Sequence, residues 1–226
     1  MKKVLEKVAS VHCSDINSRG SGFIISSDGL IATNAHVVRQ NNQTSTNIIV
    51  RFDDQSQLEA QVSMLDETKD FAILKVNASK ELKFFELVVY DKFEEFSDVI
   101  FAGQGLDLPR LSIHKGWASR KIDIDGVKAL QIDGPINQGN SGGPVLDQCG
   151  RVIGIITRTE AKFDSDLAAL LQIIPNLQGD IQMFGIRLPE TLRRIIFFLN
   201  RNRFVGVGYA FAVDYLKDAL EKIRSK

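Results

Sequence analysis

The sequence predicts an all-β protein made of two sets of six short strands, with a helical insertion over residues 158–204 and a C-terminal helix over 214–226. Three observations predict this. Short β-type runs punctuated by turn residues fill the first three quarters of the chain, at the spacing of a sandwich or small barrel. Asp-Gly, the strongest short hairpin signal, occurs at Asp28-Gly29 and again at Asp125-Gly126. From about Arg158 to Phe204 this rhythm breaks and apolar residues fall at helical spacing.

The first set begins with a lead-in strand at 8–12. Strands at 22–26 and 30–33 are joined by Ser27-Asp28-Gly29, and 47–52 and 58–65 by the polar turn 53–57. The apolar run at 71–76 completes six. Residues 77–96 carry charge and scattered aromatics (Phe84, Phe85, Phe93, Phe96) and read as a connector with one short strand. The second set is predicted at 98–102, 111–119, 127–132, 145–146, 152–157 and 206–213. Asp147-Gln148-Cys149-Gly150 is the turn between its fourth and fifth strands. The residues show no internal repeat and no low-complexity tract.

Within the insertion, Asp164-Ser165-Asp166 caps a predicted helix whose Leu167, Leu170, Leu171 and Ile174 share a face, with Pro175 as its stop. Pro189-Glu190-Thr191 opens a second one, running to about Asn200. Ile195–Leu199 is apolar throughout, which covers more of a helix than a one-sided stripe needs. Two readings stand: a helical pair packed on a barrel, or a contact for a homo-oligomer or regulatory partner or a lid over a substrate groove.

Bulk properties exclude several classes. A chain of 226 residues is one large domain or two small ones, with room for a sizeable core. Lys+Arg and Asp+Glu both number 28, so the balance points to neither nucleic acid nor an anionic membrane. The longest apolar run, Ile195–Leu199, is far too short for a membrane span. Met1-Lys2-Lys3-Val4-Leu5 starts with the charge of a signal peptide, but Glu6 and Lys7 interrupt its apolar centre. If Met1 is the native start, the protein is expected to stay in the cytoplasm. Cys13 and Cys149 are too few for a disulfide scaffold. They read as free, mostly buried thiols, with a single Cys13–Cys149 bridge as the alternative.

Chemistry concentrates at Gly139-Asn140-Ser141-Gly142-Gly143-Pro144, a serine on a turn between apolar stretches. The glycines clear space for an incoming carbonyl and let the amides of Gly139 and Ser141 point at one spot. Convergent N–H donors beside a nucleophile form an oxyanion hole. A serine hydroxyl needs a base to take its proton. His36, directly after a strand in Thr33-Asn34-Ala35-His36-Val37-Val38, is the candidate; His12 and His114 lie within strands and have no comparable setting. Asp70 stands at the mouth of the apolar strand at 71–76, where a carboxylate can orient the imidazole. Asp66, in the polar turn 66–69, is its competitor. Cys149 has nothing to activate it as a nucleophile.

The order His36, Asp70, Ser141 and four motifs resemble the HtrA/Deg branch of trypsin-like serine peptidases. These are Gly20-Ser21-Gly22-Phe23-Ile24-Ile25, Thr33–Val38, Asp70-Phe71-Ala72-Ile73-Leu74 and Gly139–Pro144; Val152-Ile153-Gly154-Ile155 and 206–212 resemble it too. The resemblance implies a double β-barrel with the active site between barrels. Residues 1–80 would form the barrel carrying His36 and Asp70. Residues 81–226 would form the barrel carrying Ser141, with the insertion and the C-terminal helix. It further implies an oxyanion hole at Gly139, Asn140 and Ser141, and a substrate pocket at Pro135, Ile136, Gly206, Val207 and Gly208. No metal or other cofactor is implied. Relatives activated by cleavage carry Asp immediately before the serine; Asn140 stands there instead. Trypsin-specific relatives carry Asp six residues before it, where this chain has Pro135, with Asp133 the nearest carboxylate. The expectation is an endopeptidase acting on proteins or peptides and cutting after small or medium apolar residues. The alternative is a catalytically silent or effector-gated protein-binding module on the same fold. The segment at 158–204 departs most from the family, whose members have a much shorter loop there.

Overall fold

The structure is a computed structural model that describes residues 2–105, 108–157, 182–183, 186–187 and 207–225. The chain divides into two compact units, Met1–Arg158 with Gly206–Lys226, and Thr159–Val205. The first unit holds both barrels.

A short helix, α1 (Lys2–Leu5), precedes the first barrel. Its strands are β1 (Val8–Cys13), β2 (Ser18–Ile24) and β3 (Leu30–Thr33), then a single helical turn, α2 (Ala35–Val38). A small hairpin of β4 (Arg39–Gln40) and β5 (Gln43–Thr44) follows, then β6 (Ile48–Phe52), β7 (Gln57–Asp66) and β8 (Phe71–Val76). The six longer strands close in the order β1-β2-β3-β8-β7-β6, antiparallel throughout. The hairpin β4–β5, absent from the sequence reading, turns through Asn41 and Asn42 at φ 49° and 63°. Asparagine tolerates the left-handed region, so the pair forms a turn without glycine.

The second barrel uses β9 (Ser97–Gly103), β10 (Ser112–Ile124), β11 (Val127–Asp133), β12 (Pro144–Leu146) and β13 (Val152–Thr157). It closes with β16 (Val207–Ala212) in the order β10-β11-β16-β13-β12-β9. Strand β10 outruns its expected end at 119 because it continues through Arg120-Lys121-Ile122-Asp123 to the Asp125-Gly126 turn. Both turn residues have positive φ, 53° and 83°, as a two-residue primed hairpin requires. Charged residues there mark an exposed edge of a ribbon, not a loop. In the unit Thr159–Val205, β14 (Gln182–Met183) pairs with β15 (Ile186–Arg187). The two helices expected at 164–174 and 189–200, and the roles weighed for them, lie outside the described residues.

Three apolar layers explain why several strands read as unbroken hydrophobic runs. In β8, Ala72, Leu74 and Val76 point into the first barrel, while Phe71 and Ile73 point into a layer between the barrels. In β13, Ile153 and Ile156 fill the second barrel, while Val152 and Ile155 face that same middle layer. A strand buried on both faces has no polar side to show. The middle layer also receives Leu216 and Ala219 of the C-terminal helix α3 (Asp214–Arg224). Asp214 Oδ2 accepts from the Tyr90 amide at 2.8 Å, anchoring the helix start.

The connector at 77–96 contributes one isolated bridge, Leu87 to Val152, and a 3-10 turn at Tyr90–Lys92. Phe85 and Phe93 are buried, Phe84 and Phe96 exposed. Cys13 and Cys149 are free thiols. Cys149 departs from the expectation of burial: it is exposed at the tip of the turn after β12, its amide donating to Asp147 Oδ1.

Candidate active site

Helix α2 is held by its buried Ala35, Val37 and Val38, leaving His36 as the half-buried side chain of that turn. Its ring meets Asp70. His36 Nδ1 lies 3.0 Å from Asp70 Oδ1 and 2.9 Å from Oδ2, and the His36 amide donates to Oδ1 at 3.0 Å. An ionised carboxylate only accepts, so Nδ1 carries a proton, and in the neutral ring Nε2 is then the acceptor. Asp70 sits at φ 45°, in the left-handed region, where a short carboxylate side chain is among the better tolerated. Asn34 Nδ2 donates to the Asp70 carbonyl at 2.8 Å. Asp66, the competing candidate, is occupied with its own turn: its Oδ1 accepts from the Lys69 amide at 3.0 Å.

A third contact comes from the other barrel. Thr157 Oγ1, at the end of β13, donates to Asp70 Oδ2 at 2.7 Å. Sequence reasoning treated Thr157 only as the end of a strand. Its signal was a hydroxyl closing the apolar run Val152–Ile156, and a buried hydroxyl needs a partner.

Ser141 occupies a turn set by two glycines at positive φ, Gly139 at 91° and Gly142 at 85°. A Cβ on Gly142 would lie 2.2 Å from the Ser21 carbonyl oxygen, a backbone atom that cannot yield. Ser21, fully buried in β2, holds the turn from below. Its amide donates to Ser141 O at 2.8 Å and its Oγ to Gly139 O at 2.6 Å, while its Oγ accepts from the Gln104 amide at 2.9 Å. Thr33 Oγ1 donates to the Ser21 carbonyl at 2.7 Å. In the sequence Ser21 stands within the motif Gly20–Ile25 with no marked role; a serine between glycines that opens an apolar run is its one local signal.

Among the described residues, the amides of Gly139 and Ser141 have no hydrogen-bond acceptor. The Asn140 amide differs: it donates to Asn137 O at 3.0 Å, and Asn140 Oδ1 accepts from the Asn137 amide at 2.9 Å. The Asn140 backbone N–H is thus engaged in closing the turn, while its side-chain Nδ2 is buried without a hydrogen-bond partner. His36, Gly139 and Ser141 line one cavity of about 580 Å³.

Four of the five residues expected to form the substrate pocket are described. Ile136 is buried in the second barrel's core and packs on Gly208, where a Cβ would come within 2.5 Å of Ile136 Cδ1. Pro135 and Val207 are exposed, and Gly206 lies outside the described residues. The other histidines are accounted for locally. His12 Nε2 is 3.1 Å from Ser10 Oγ, and His114 stacks on Phe101 with ring centroids 5.2 Å apart. Burial pushes both imidazoles below the usual histidine range, and Arg51 and Arg19 push His12 further. No cluster able to hold a metal ion occurs among the described residues.

The trypsin-like peptidase domain model matches residues 20–155, more than half of the chain and every strand of the two barrels from β2 to β13. The chain belongs to the trypsin-like peptidase family. Within this family its relatives are of the HtrA/Deg type. A probable periplasmic serine endoprotease, DegP-like, of Pseudomonas putida is 39% identical over 145 residues, covering 62% of this chain and 29% of that protein. A similarly described protein of Ectopseudomonas mendocina is 39% identical over 178 residues, or 74% of this chain and 36% of its own length. A putative serine protease HhoB of Synechocystis is 36% identical over 149 residues, 63% and 35% respectively. The chain thus spans about a third of the length of these trypsin-like relatives.

Proposed function

We propose that this chain is a serine endopeptidase that hydrolyses peptide bonds in proteins or peptides through an acyl-enzyme. The observation that carries the reading is the Asp70–His36 pair, held from both barrels through Nδ1 of the ring, on the cavity that Ser141 shares. Ser141 Oγ attacks the scissile carbonyl carbon as its proton passes to His36 Nε2. The carbonyl oxygen, now negative, is received by the free amides of Gly139 and Ser141. When the tetrahedral centre collapses, the C–N bond breaks and the proton moves from Nε2 to the leaving amine. Water then repeats the sequence on the ester, His36 again acting first as base and then as acid. Asp70 fixes the ring and stabilises the transient imidazolium without taking the proton itself.

For the residue preceding the cut, the reading is small or medium apolar. It is supported by Pro135 in place of a carboxylate, by Ile136 filling the space over Gly208, and by Asp133 being exposed.

A fluorophosphonate probe tests the activity. The expected result is covalent labelling of the wild type at Ser141 and none of Ser141→Ala, together with cleavage of an unfolded protein such as casein by the wild type alone. Absence of labelling with and without peptide substrate overturns the reading in favour of a silent binding module.

A further inference from the structure

The 580 Å³ cavity beside Ser141 is wider than the triad needs, and the turn from β1 to β2 builds its far wall. Its lining includes His12, Arg19, Gln40 and Gln138 along with His36 and Ser141, and contains no Asp or Glu among the described residues. Pairing register explains the charge. His12 on β1 faces Arg19 on β2, and Ser10, two residues earlier and on the same face, faces Arg51 on β6. Side chains two apart on a strand share a face, so both guanidinium groups belong to the same outer surface of the sheet.

That surface is not neutralised. Arg19 and Arg51 make no ion pair among the described residues, and Arg51 Nε is buried without a hydrogen-bond partner. The neighbouring carboxylates are committed elsewhere. Asp15 is held by Ser45 Oγ at 2.5 Å and the Thr46 amide at 2.8 Å, Glu67 by Arg39 at 3.0 Å, and Asp70 by His36 and Thr157. Burial first, and then Arg51 and Arg19, push the His12 imidazole below its usual value, which favours its role as a hydrogen-bonding group. Of the two arginines, Arg19 reaches the cavity that Ser141 lines, and it does so without a carboxylate partner among the described residues.

The chemistry orients a substrate in this space. The acyl oxygen goes to the amides of Gly139 and Ser141, and His36 hands its proton to the amine that departs. The departing segment therefore runs on the His36 side. Pro135, Ile136, Val207 and Gly208 do not line the cavity, whereas the β1–β2 turn does.

Resting on the endopeptidase reading, we infer that this cavity receives the residues following the scissile bond and selects an acidic side chain there, with Arg19 as the cation that recognises it. Asn17, Gln40 and Gln138 supply neutral donors for the same carboxylate. Because Arg19 is exposed, the preference is modest and weakens with salt.

Digestion of a peptide library prepared from a denatured proteome, with cut sites read by mass spectrometry, tests the inference. In the wild type, Asp and Glu should be enriched about two- to fivefold at the first three positions after the cut, the range an exposed ion pair supports. Arg19→Gln should abolish the enrichment, and Arg19→Glu should turn it toward Lys and Arg. Cleavage without acidic enrichment, or enrichment that survives Arg19→Glu, overturns the subsite while leaving the activity standing. A wild type that labels with fluorophosphonate yet cuts only peptides with basic residues after the bond also overturns it. Failure of labelling and cutting together removes the endopeptidase reading, and the subsite with it.

Discussion

Thr157 Oγ1 donates to Asp70 Oδ2 at 2.7 Å, tying the last residue of β13 in one barrel to the residue that opens β8 in the other. The carboxylate is thereby oriented by both halves of the molecule, since His36 approaches it from the first barrel. Thr157→Val keeps the shape and removes the donor. The expected outcome is a kcat reduced about tenfold, KM within a factor of two, and a loss of about 1–2 kcal/mol in stability for the bond. Thr157→Ser should restore most of the rate. Steady-state kinetics with denaturant melts check both.

Asp70→Asn tests the tautomer. Asparagine also tolerates the left-handed backbone, so the fold should persist. Its amide can donate to His36 Nδ1 and hold the proton on Nε2, where it is useless to Ser141. The expected loss in kcat is about 10³- to 10⁴-fold with an unchanged melting temperature, by analogy with the same exchange in the serine protease template.

Ser21→Ala leaves the Gly139 carbonyl and the Gln104 amide without their buried partner. An unmet buried group costs about 1–3 kcal/mol. Because Gly139 carries one of the proposed oxyanion donors, the deficit should appear as a lower kcat and slower fluorophosphonate labelling, with substrate KM nearly unchanged. An equal fall in binding and turnover would show that Ser21 merely supports the fold.

His114 provides a pH signature. Its folded pKa lies below the usual histidine value because of burial. Between that lowered value and about 6.5 the unfolded chain binds more protons than the folded one, so stability rises with pH. The contribution is complete above about 6.5 and is lost as pH falls through the folded pKa. His12 acts in the same direction. His114→Phe retains the aromatic contact with Phe101 and should flatten part of the decline in melting temperature between pH 7 and 5.

The thiols should separate cleanly. Cys149 is exposed, whereas Cys13 is buried, with burial raising its thiol to about 11. Ellman's reagent should titrate one fast thiol in the native protein, a second only after denaturation, and none of the fast class in Cys149→Ser.

Local chemistry made most of the barrel strands legible. Runs such as Leu30–Thr33 and Phe71–Val76 are bounded by turn residues, and both appear in the structure with the ends that the pattern implies. Strand β10 was read short because its outer half is charged, and the Asn41-Asn42 hairpin was missed because glycine is the turn signal one looks for. His36, Asp70 and Ser141 each carried a local mark, an apolar strand end or a glycine turn. Thr157 and Ser21 did not, because a hydroxyl's role depends on which distant carbonyl or carboxylate the fold brings to it. The pairing of Asn140 with Asn137 was equally invisible, because no single residue type announces that four-residue turn.

Strand β16 lies between β11 and β13, so the second barrel has an open seam until residues 207–212 are in place. Helix α3 then fills the layer where the barrels meet. A chain ending before residue 207 would contain His36, Asp70 and Ser141 yet lack the strand that closes the Ser141 side. The Ser141 side of the molecule is therefore completed from a distance in sequence: its barrel closes only when residues 207–212 pair with β11 and β13.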